Sequence, residues 1–158
     1  MENKKVKNAK VVEYEGVTFK SKLELGFYRI LTQAGFNPQY ENKTYTLIPG
    51  KRVKVPFYTK DTKTRLLKLD STKLRPITYT PDFTFMYNDL LVIIEAKGRQ
   101  NDVYPIKRKL FRHLLENFNT KVLFIEAYTQ KQLLEAIKII KHYGLNQQDG
   151  ENATSPPI

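Results

Sequence analysis

The sequence contains no cysteine and no tryptophan. Without thiols there is no disulfide framework and no thiolate metal site. Only two histidines occur. His113 and His142 fall on separate predicted helices with no partner at ligand spacing, so both read as structural. No stretch approaches the roughly 20 apolar residues that a membrane-spanning helix needs. Met1 to Lys10 is polar and rich in Lys and Asn, with no apolar segment behind it, so the expectation is an intracellular protein without a secretory signal. A Gly-rich phosphate loop is also missing, which leaves nucleotide hydrolysis without a motif. Acidic residues are scarce: 16 Asp and Glu stand against 27 Lys and Arg, a net charge of +11. That balance favours a polyanionic partner. No basic amphipathic helix or lipidation signal points to a membrane surface, so nucleic acid is the expected partner. The plainer alternative is a basic, well-solvated protein.

What remains is one domain's worth of chain, 158 residues, 41% of them hydrophobic, enough to bury a core. Residues 1–12 read as a flexible basic arm and 146–158 as a disordered polar tail, leaving a domain over 13–145. The first predicted helix runs from Lys22 to Ala34. Leu23, Phe27, Ile30, Leu31 and Ala34 form its apolar stripe, Ser21 its N-cap and Gly35 its stop. A strand from Tyr40 to Ile48 ends at Pro49-Gly50. Residues 51–78 carry nine basic residues against Asp61 and Asp70. They read either as a β excursion with a basic surface or as a solvated insertion without a role. Tyr79–Tyr87 and Leu90–Lys97 form a predicted hairpin about Asn88-Asp89. A helix over Tyr104–Phe118 follows, with Ile106, Leu110, Phe111, Leu114, Leu115 and Phe118 as its buried face and Pro105 in its first turn. The apolar strand Val122–Ala127 reads as covered on both faces. Lys131–Tyr143 closes the domain as a helix, with Thr129 and Gln132 as a capping box and Gly144 as its stop. The expected class is α/β, a mixed central sheet flanked by helices.

The hairpin carries the chemistry. With its turn centred on Asn88-Asp89, residues whose numbers sum to 177 lie opposite one another. Asp82 then faces Glu95, and Thr80 faces Lys97. Strand alternation puts Asp82, Glu95 and Lys97 on one face, with Phe83, Phe85, Tyr87, Val92 and Ile94 on the other. Opposed carboxylates repel, and Leu91 and Ile93 imply that their face is buried, where unpaired charge is costly. Such a pair needs a shared proton or a cation. Mg²⁺, which accepts one or two carboxylates plus water and phosphate oxygens, would suit. Lys97 would then orient water or stabilise charge in the hydrolysis of a phosphodiester. A surface salt-bridge cluster stands as the alternative.

At these residues the sequence resembles the PD-(D/E)xK nuclease superfamily: Pro81-Asp82 is followed on the next strand by Glu95-Ala96-Lys97. Phe19-Lys-Ser-Lys-Leu-Glu24, Tyr79-Thr-Pro-Asp-Phe83 and Ile94-Glu-Ala-Lys-Gly98 are similar to the phage endonuclease I type of Holliday junction resolvase. Related small phage and mobile-element endonucleases carry a Lys-Arg-Lys run after the motif, matched here by Lys107-Arg108-Lys109. The resemblance implies a restriction-endonuclease-like αβββαβ core with an added C-terminal helix. It further implies an endonuclease using one or two Mg²⁺ or Mn²⁺ ions, dimeric, encoded by a phage or mobile element and acting on branched DNA in a bacterial cytoplasm. Asp82 and Glu95 match the metal ligands, Lys97 the catalytic lysine, and Glu24 the first-helix carboxylate, a third ligand. By its spacing alone, Ser21-x-x-Glu24 also fits a capping box. Lys107, Arg108, Lys109 and Arg112, with Lys22 on the first helix, are the expected DNA contacts. The basic insertion at 51–78 departs from the compact resolvase pattern. The alternatives are a nicking or restriction-like endonuclease on duplex DNA and a non-catalytic DNA-binding module of the same fold.

Overall fold

A computed structural model describes residues 10–98 and 101–145. The predicted tail, 146–158, and most of the predicted arm lie outside them. Along the chain come β1 (Val12–Tyr14), β2 (Val17–Phe19), α1 (Lys22–Gln33), β3 (Gln39–Tyr40), β4 (Tyr45–Ile48), β5 (Tyr58–Lys60) and β6 (Leu67–Leu69). Then follow β7 (Ile77–Tyr79), β8 (Phe83–Tyr87), β9 (Leu90–Ala96), α2 (Tyr104–Leu115), β10 (Lys121–Ala127) and α3 (Gln130–Leu145). The central sheet has the order β10-β9-β8-β3. Its one parallel pair is β9 with β10, joined across α2, as a crossover helix requires. The class is therefore mixed α/β, as the sequence led us to expect. No helix among the described residues is long and apolar enough to cross a membrane.

Strand alternation divides the core between the sheet's two faces. Phe83, Phe85, Val92 and Ile94 point to one side and meet Phe27 and Leu31 of α1 and Leu133 and Ile140 of α3. Ile93 points to the other, against Tyr45, Tyr79, and Tyr104 and Phe111 of α2. Phe27, Phe83, Ile93 and Phe111 are completely buried, each contributing about 1.5–3 kcal/mol of hydrophobic stabilisation. β10 is covered on both faces as expected, Leu123 and Ile125 meeting the first cluster and Val122 and Phe124 the second. It remains only half-buried because it forms the sheet's edge.

Several boundaries differ from expectation, each for a local reason. The chain is already a strand at Val12, paired with Phe19, so the arm cannot extend to residue 12. The strand expected over Tyr40–Ile48 is broken at Glu41, whose φ is +42° and whose N–H donates to the Asp82 carbonyl at 2.8 Å. Pro81, lacking an N–H, splits Tyr79–Tyr87 into β7 and β8. α2 stops at Leu115, but Phe118 still packs into the core beneath it. Ile106 is 62% exposed rather than buried. Tyr104, Phe111 and Leu115 define the inward line of α2, and Ile106 lies off it.

Gly144 does not end α3 but lies within its last turn. A Cβ there would stand 2.3 Å from the Tyr87 ring, and the Asn88 side chain donates to the Gly144 carbonyl at 3.0 Å. This glycine is where α3 meets the β8–β9 turn. Gly144→Ala is expected to destabilise the fold by about 1–3 kcal/mol through overpacking, read as a lower urea midpoint at unchanged slope.

Candidate active site

The predicted register of the hairpin holds over Phe83↔Ile94 to Tyr87↔Leu90. Asn88 supplies its turn with φ +55°, a conformation that asparagine tolerates better than most residues. The pairing ends one step short of the carboxylates. Asp82 lies in the bend after Pro81 rather than in β8, so it does not face Glu95 as a ladder partner. Its side chain instead reaches across to β9, where Oδ2 accepts the Ala96 N–H at 2.7 Å. Thr80 likewise does not pair with Lys97. Its hydroxyl bonds Thr44 at 2.7 Å, and the Lys97 N–H donates to Ala127 of β10 at 2.8 Å.

Asp82 nonetheless lies beside Glu95, bonded to the N–H of the next residue, and within electrostatic reach of Glu24. Each is buried, with 9% or less of its surface exposed. The Asp82 carboxyl is pushed well above the usual carboxylate range by burial, then by the charges of Glu95 and Glu24. The Ala96 N–H and Lys97 only partly oppose this. Lys97 is mostly buried, with Nζ 2.5 Å from Glu95 Oε1 and 3.7 Å from the centre of the Tyr104 ring. The cation–π contact helps hold a desolvated ammonium. The other Glu95 oxygen accepts the Tyr79 hydroxyl at 2.5 Å.

Glu24 sits at the third position of α1. Its N–H donates to Ser21 Oγ at 3.2 Å, and Ser21 Oγ donates to Glu24 Oε1 at 2.9 Å. Oε2 accepts the Lys20 N–H at 3.1 Å and also the Tyr40 hydroxyl. The helix cap is therefore real, and the same carboxylate contributes to the field at Asp82. Each carboxylate oxygen offers two lone pairs, so the cap leaves acceptor capacity free. Tyr40, Tyr79 and Tyr104 all have hydroxyls pushed above the ordinary tyrosine range, by burial first and then by their carboxylate neighbours. They remain protonated donors across the physiological range.

A second carboxylate system adjoins the first. Glu126 of β10 pairs in register with Glu95 of β9. Tyr104 and Tyr128 hydroxyls each donate to it at 2.5 Å, and Arg108 Nη1 at 2.9 Å. Burial opposes its ionisation, but these donors outweigh burial and hold its carboxyl below the usual range. Tyr104 joins the two systems, its ring under Lys97 and its hydroxyl on Glu126. Glu126 escaped the sequence reading, which reads Tyr104 as a core or rim tyrosine, or one that stacks on a base, without its link to Lys97 and Glu126. The signal was present: Ile94-Glu95-Ala96 and Ile125-Glu126-Ala127 are the same tripeptide at the ends of two apolar strands.

The expected DNA contacts scatter. Lys22 is exposed on the first turn of α1, and Lys109 and Arg112 are exposed on α2. Lys107 is half-buried, and Arg108 is committed to Glu126. Arg108 is thus a partly exposed cation whose charge is paired with Glu126. Among the described residues, no three acidic or histidine side chains form a ready metal cage. The donor set still fits a hard divalent cation. Glu24, Asp82 and Glu95 are all buried, Lys97 pairs with Glu95, and burial followed by the charges of Glu95 and Glu24 raises the proton affinity of Asp82.

A mixed sheet with helices on both faces and a buried acid–lysine centre at its β8–β9 hairpin thus defines the molecule. The chain belongs to the family described as protein of unknown function (DUF1064), which matches residues 4–144. No curated protein and no solved structure matched the chain.

Proposed function

We propose that this protein is a metal-dependent endonuclease that hydrolyses DNA phosphodiesters, with Asp82, Glu95, Glu24 and Lys97 at its active centre. The observation that carries the reading is the buried Asp82, its carboxyl raised by burial and by the charges of Glu95 and Glu24, next to the Lys97–Glu95 pair, in a chain of net charge +11. A structural salt bridge would need only the Lys97–Glu95 pair, whereas the buried Asp82 has no ion-pair partner among the described residues, a charge that a proton or a cation relieves. Setting aside β1–β2 and β4–β7, which lie outside the central sheet, the order α1, β3, β8, β9, α2, β10 supports assignment to the αβββαβ core of the PD-(D/E)xK nucleases, with α3 added.

Asp82 and Glu95 would hold Mg²⁺ or Mn²⁺, with Glu24 as the third carboxylate. When bound, such a cation neutralises charge on the phosphate and makes water a stronger nucleophile. The protein's own groups do the rest. Ala96 N–H fixes the Asp82 carboxylate, and Tyr79 fixes Glu95. Lys97 presents an ammonium beside Glu95, placed to orient the attacking water or to stabilise the developing negative charge. Tyr104 and Glu126 keep Lys97 from swinging outward.

The preferred substrate is branched DNA, and symmetric cutting of a junction requires two centres, hence a homodimer. Four-way junctions, flaps, nicked duplex and plain duplex, each with Mg²⁺ and with EDTA, test this directly. Metal-dependent cleavage with the junction preferred is the expected result. Cleavage of plain duplex at least as fast would make the enzyme restriction-like. DNA binding without any cleavage would leave a non-catalytic module.

A further inference from the structure

The segment between β4 and β7 is unlike the rest of the molecule. β5 and β6 pair as Tyr58↔Leu69, Thr59↔Lys68 and Lys60↔Leu67, and neither face of the ribbon is covered. Leu66, Leu67 and Val55 are each more than 70% exposed, and Phe57 and Tyr58 about 60%. A bare two-stranded hairpin is marginal in water, yet its turn is carefully built. Asp61 Oδ1 accepts the N–H groups of Lys63 and Thr64 at 2.8 and 2.9 Å, and Asp61 Oδ2 pairs with Lys68 at 2.7 Å. Asp70 is likewise used locally, accepting the Thr72 N–H at 2.8 Å. Both acids of residues 51–78 thus serve the ribbon's own geometry. The remaining cations, among them Lys51, Arg52, Lys54, Lys60, Lys63 and Arg65, are all exposed.

We propose that this β5–β6 arm lies in the major groove of duplex DNA beside the scissile position, its lysines on the flanking phosphates and its apolar face on the base edges. The proposal rests on the nuclease reading and supplies that enzyme's duplex-binding element. Charge selects the occupant. Nine basic residues against two acidic make residues 51–78 a +7 segment, so a second copy of the arm is repelled and a polyanion is attracted. Shape selects the form. The major groove of B-DNA, about 12 Å wide, admits a two-stranded β-ribbon, whereas the deep, narrow major groove of an A-form RNA duplex does not. Exposed Tyr58, Leu67 and Leu69 suit contact with thymine methyls and the edges of bases.

The arm is also correctly placed. It extends the β4–β7 ladder, in which Tyr45↔Tyr79 is followed outward by Ile48↔Ile77 and then by the bridge Lys51↔Leu74. Tyr79, whose hydroxyl donates to Glu95, is ten positions beyond Leu69. At about 3.3 Å per residue the base of the arm, at Leu69, lies at most about 33 Å from Tyr79. That is about one turn of B-DNA, so arm and centre can engage the same duplex.

The test is duplex binding by fluorescence anisotropy, with Ca²⁺ replacing Mg²⁺, over a salt series. For the triple variant Lys54→Gln, Lys60→Gln, Lys63→Gln, about tenfold weaker binding to DNA is expected. The slope of log affinity against log salt should fall by about 2–3, near 0.9 for each phosphate no longer neutralised. Leu67→Ser with Leu69→Ser should weaken binding severalfold at an unchanged slope. Binding to an RNA duplex of the same sequence should lose less in the triple variant than DNA binding does and should not respond to the leucine changes. An unchanged DNA slope in the triple variant overturns the proposal, as does an equal loss on RNA. A change in sedimentation of the leucine variant without any change in DNA affinity also overturns it, since a second copy would then cover the arm. The wild-type controls separate this from the nuclease reading. DNA cleavage with an arm-independent affinity sinks the arm alone, and arm-dependent binding without metal-dependent cleavage sinks the nuclease alone.

Discussion

Lys97→Ala is expected to slow Mg²⁺-dependent DNA cleavage by about 10³-fold, or roughly 4 kcal/mol of transition-state stabilisation. Its DNA affinity should stay within a few-fold of wild type. The ammonium is mostly buried, 2.5 Å from Glu95 and seated over Tyr104, so no bulk ion replaces it cheaply. It is one cation among 27 in the chain, and for that reason its loss should hardly register in overall DNA attraction. Lys97→Arg restores charge but not shape, since a planar guanidinium cannot occupy the compact position of an ammonium, and only partial recovery is expected. Single-turnover cleavage and anisotropy on the same preparations separate the two effects. Wild-type turnover in Lys97→Ala would leave the lysine as a mere counter-ion.

Asp82→Asn should have an equally large effect on cleavage and an opposite effect on stability. The carboxyl is an acceptor for Ala96 N–H, a role that an amide oxygen can keep, but the amide is a poor partner for a divalent cation. Cleavage should fall by about 10³-fold or more. The metal-free protein should meanwhile become more stable. Burial, Glu95 and Glu24 raise the Asp82 carboxyl in the folded state, so the native protein holds this proton more tightly than the unfolded chain does. Below the unfolded value of about 3.9 the group costs nothing, and as pH rises from there through the folded pKa its contribution becomes destabilising. Asp82→Asn removes that penalty. At neutral pH without metal a rise of about 3–6 °C in Tm is expected, corresponding to about 1–2 kcal/mol. The advantage should shrink toward pH 4 and should reverse when Mg²⁺ stabilises the wild type alone. A variant that melts lower than wild type at every pH would mean that Asp82 is a structural acceptor and nothing more.

The sequence made the hairpin legible because strand alternation and a two-residue turn fix the register of every residue between them. The pairing of Phe83 with Ile94 followed from that alone. The register failed at Asp82, where Pro81 broke the strand and redirected the side chain to the Ala96 N–H. Periodicity could not reveal that break, although the proline itself was a warning. Glu24 was visible as a cap. Its influence on Asp82 depends on how α1 packs against the sheet, which no local pattern encodes. The same holds for Glu126: its place beside Glu95 requires knowing that β10 lies parallel to β9 in this register. Ile106 was misplaced because an apolar residue on an amphipathic helix was assigned to the inward face, although Tyr104 and Phe111 direct the helix elsewhere. The arm was seen as basic and β-like, but its uncovered faces were a matter of tertiary structure.

The most direct measurement is anomalous diffraction from crystals soaked in millimolar Mn²⁺. The account predicts a peak between Asp82 and Glu95 within reach of Glu24, lost in Asp82→Asn crystals. Soaked wild-type crystals with no anomalous peak among these three carboxylates would contradict it.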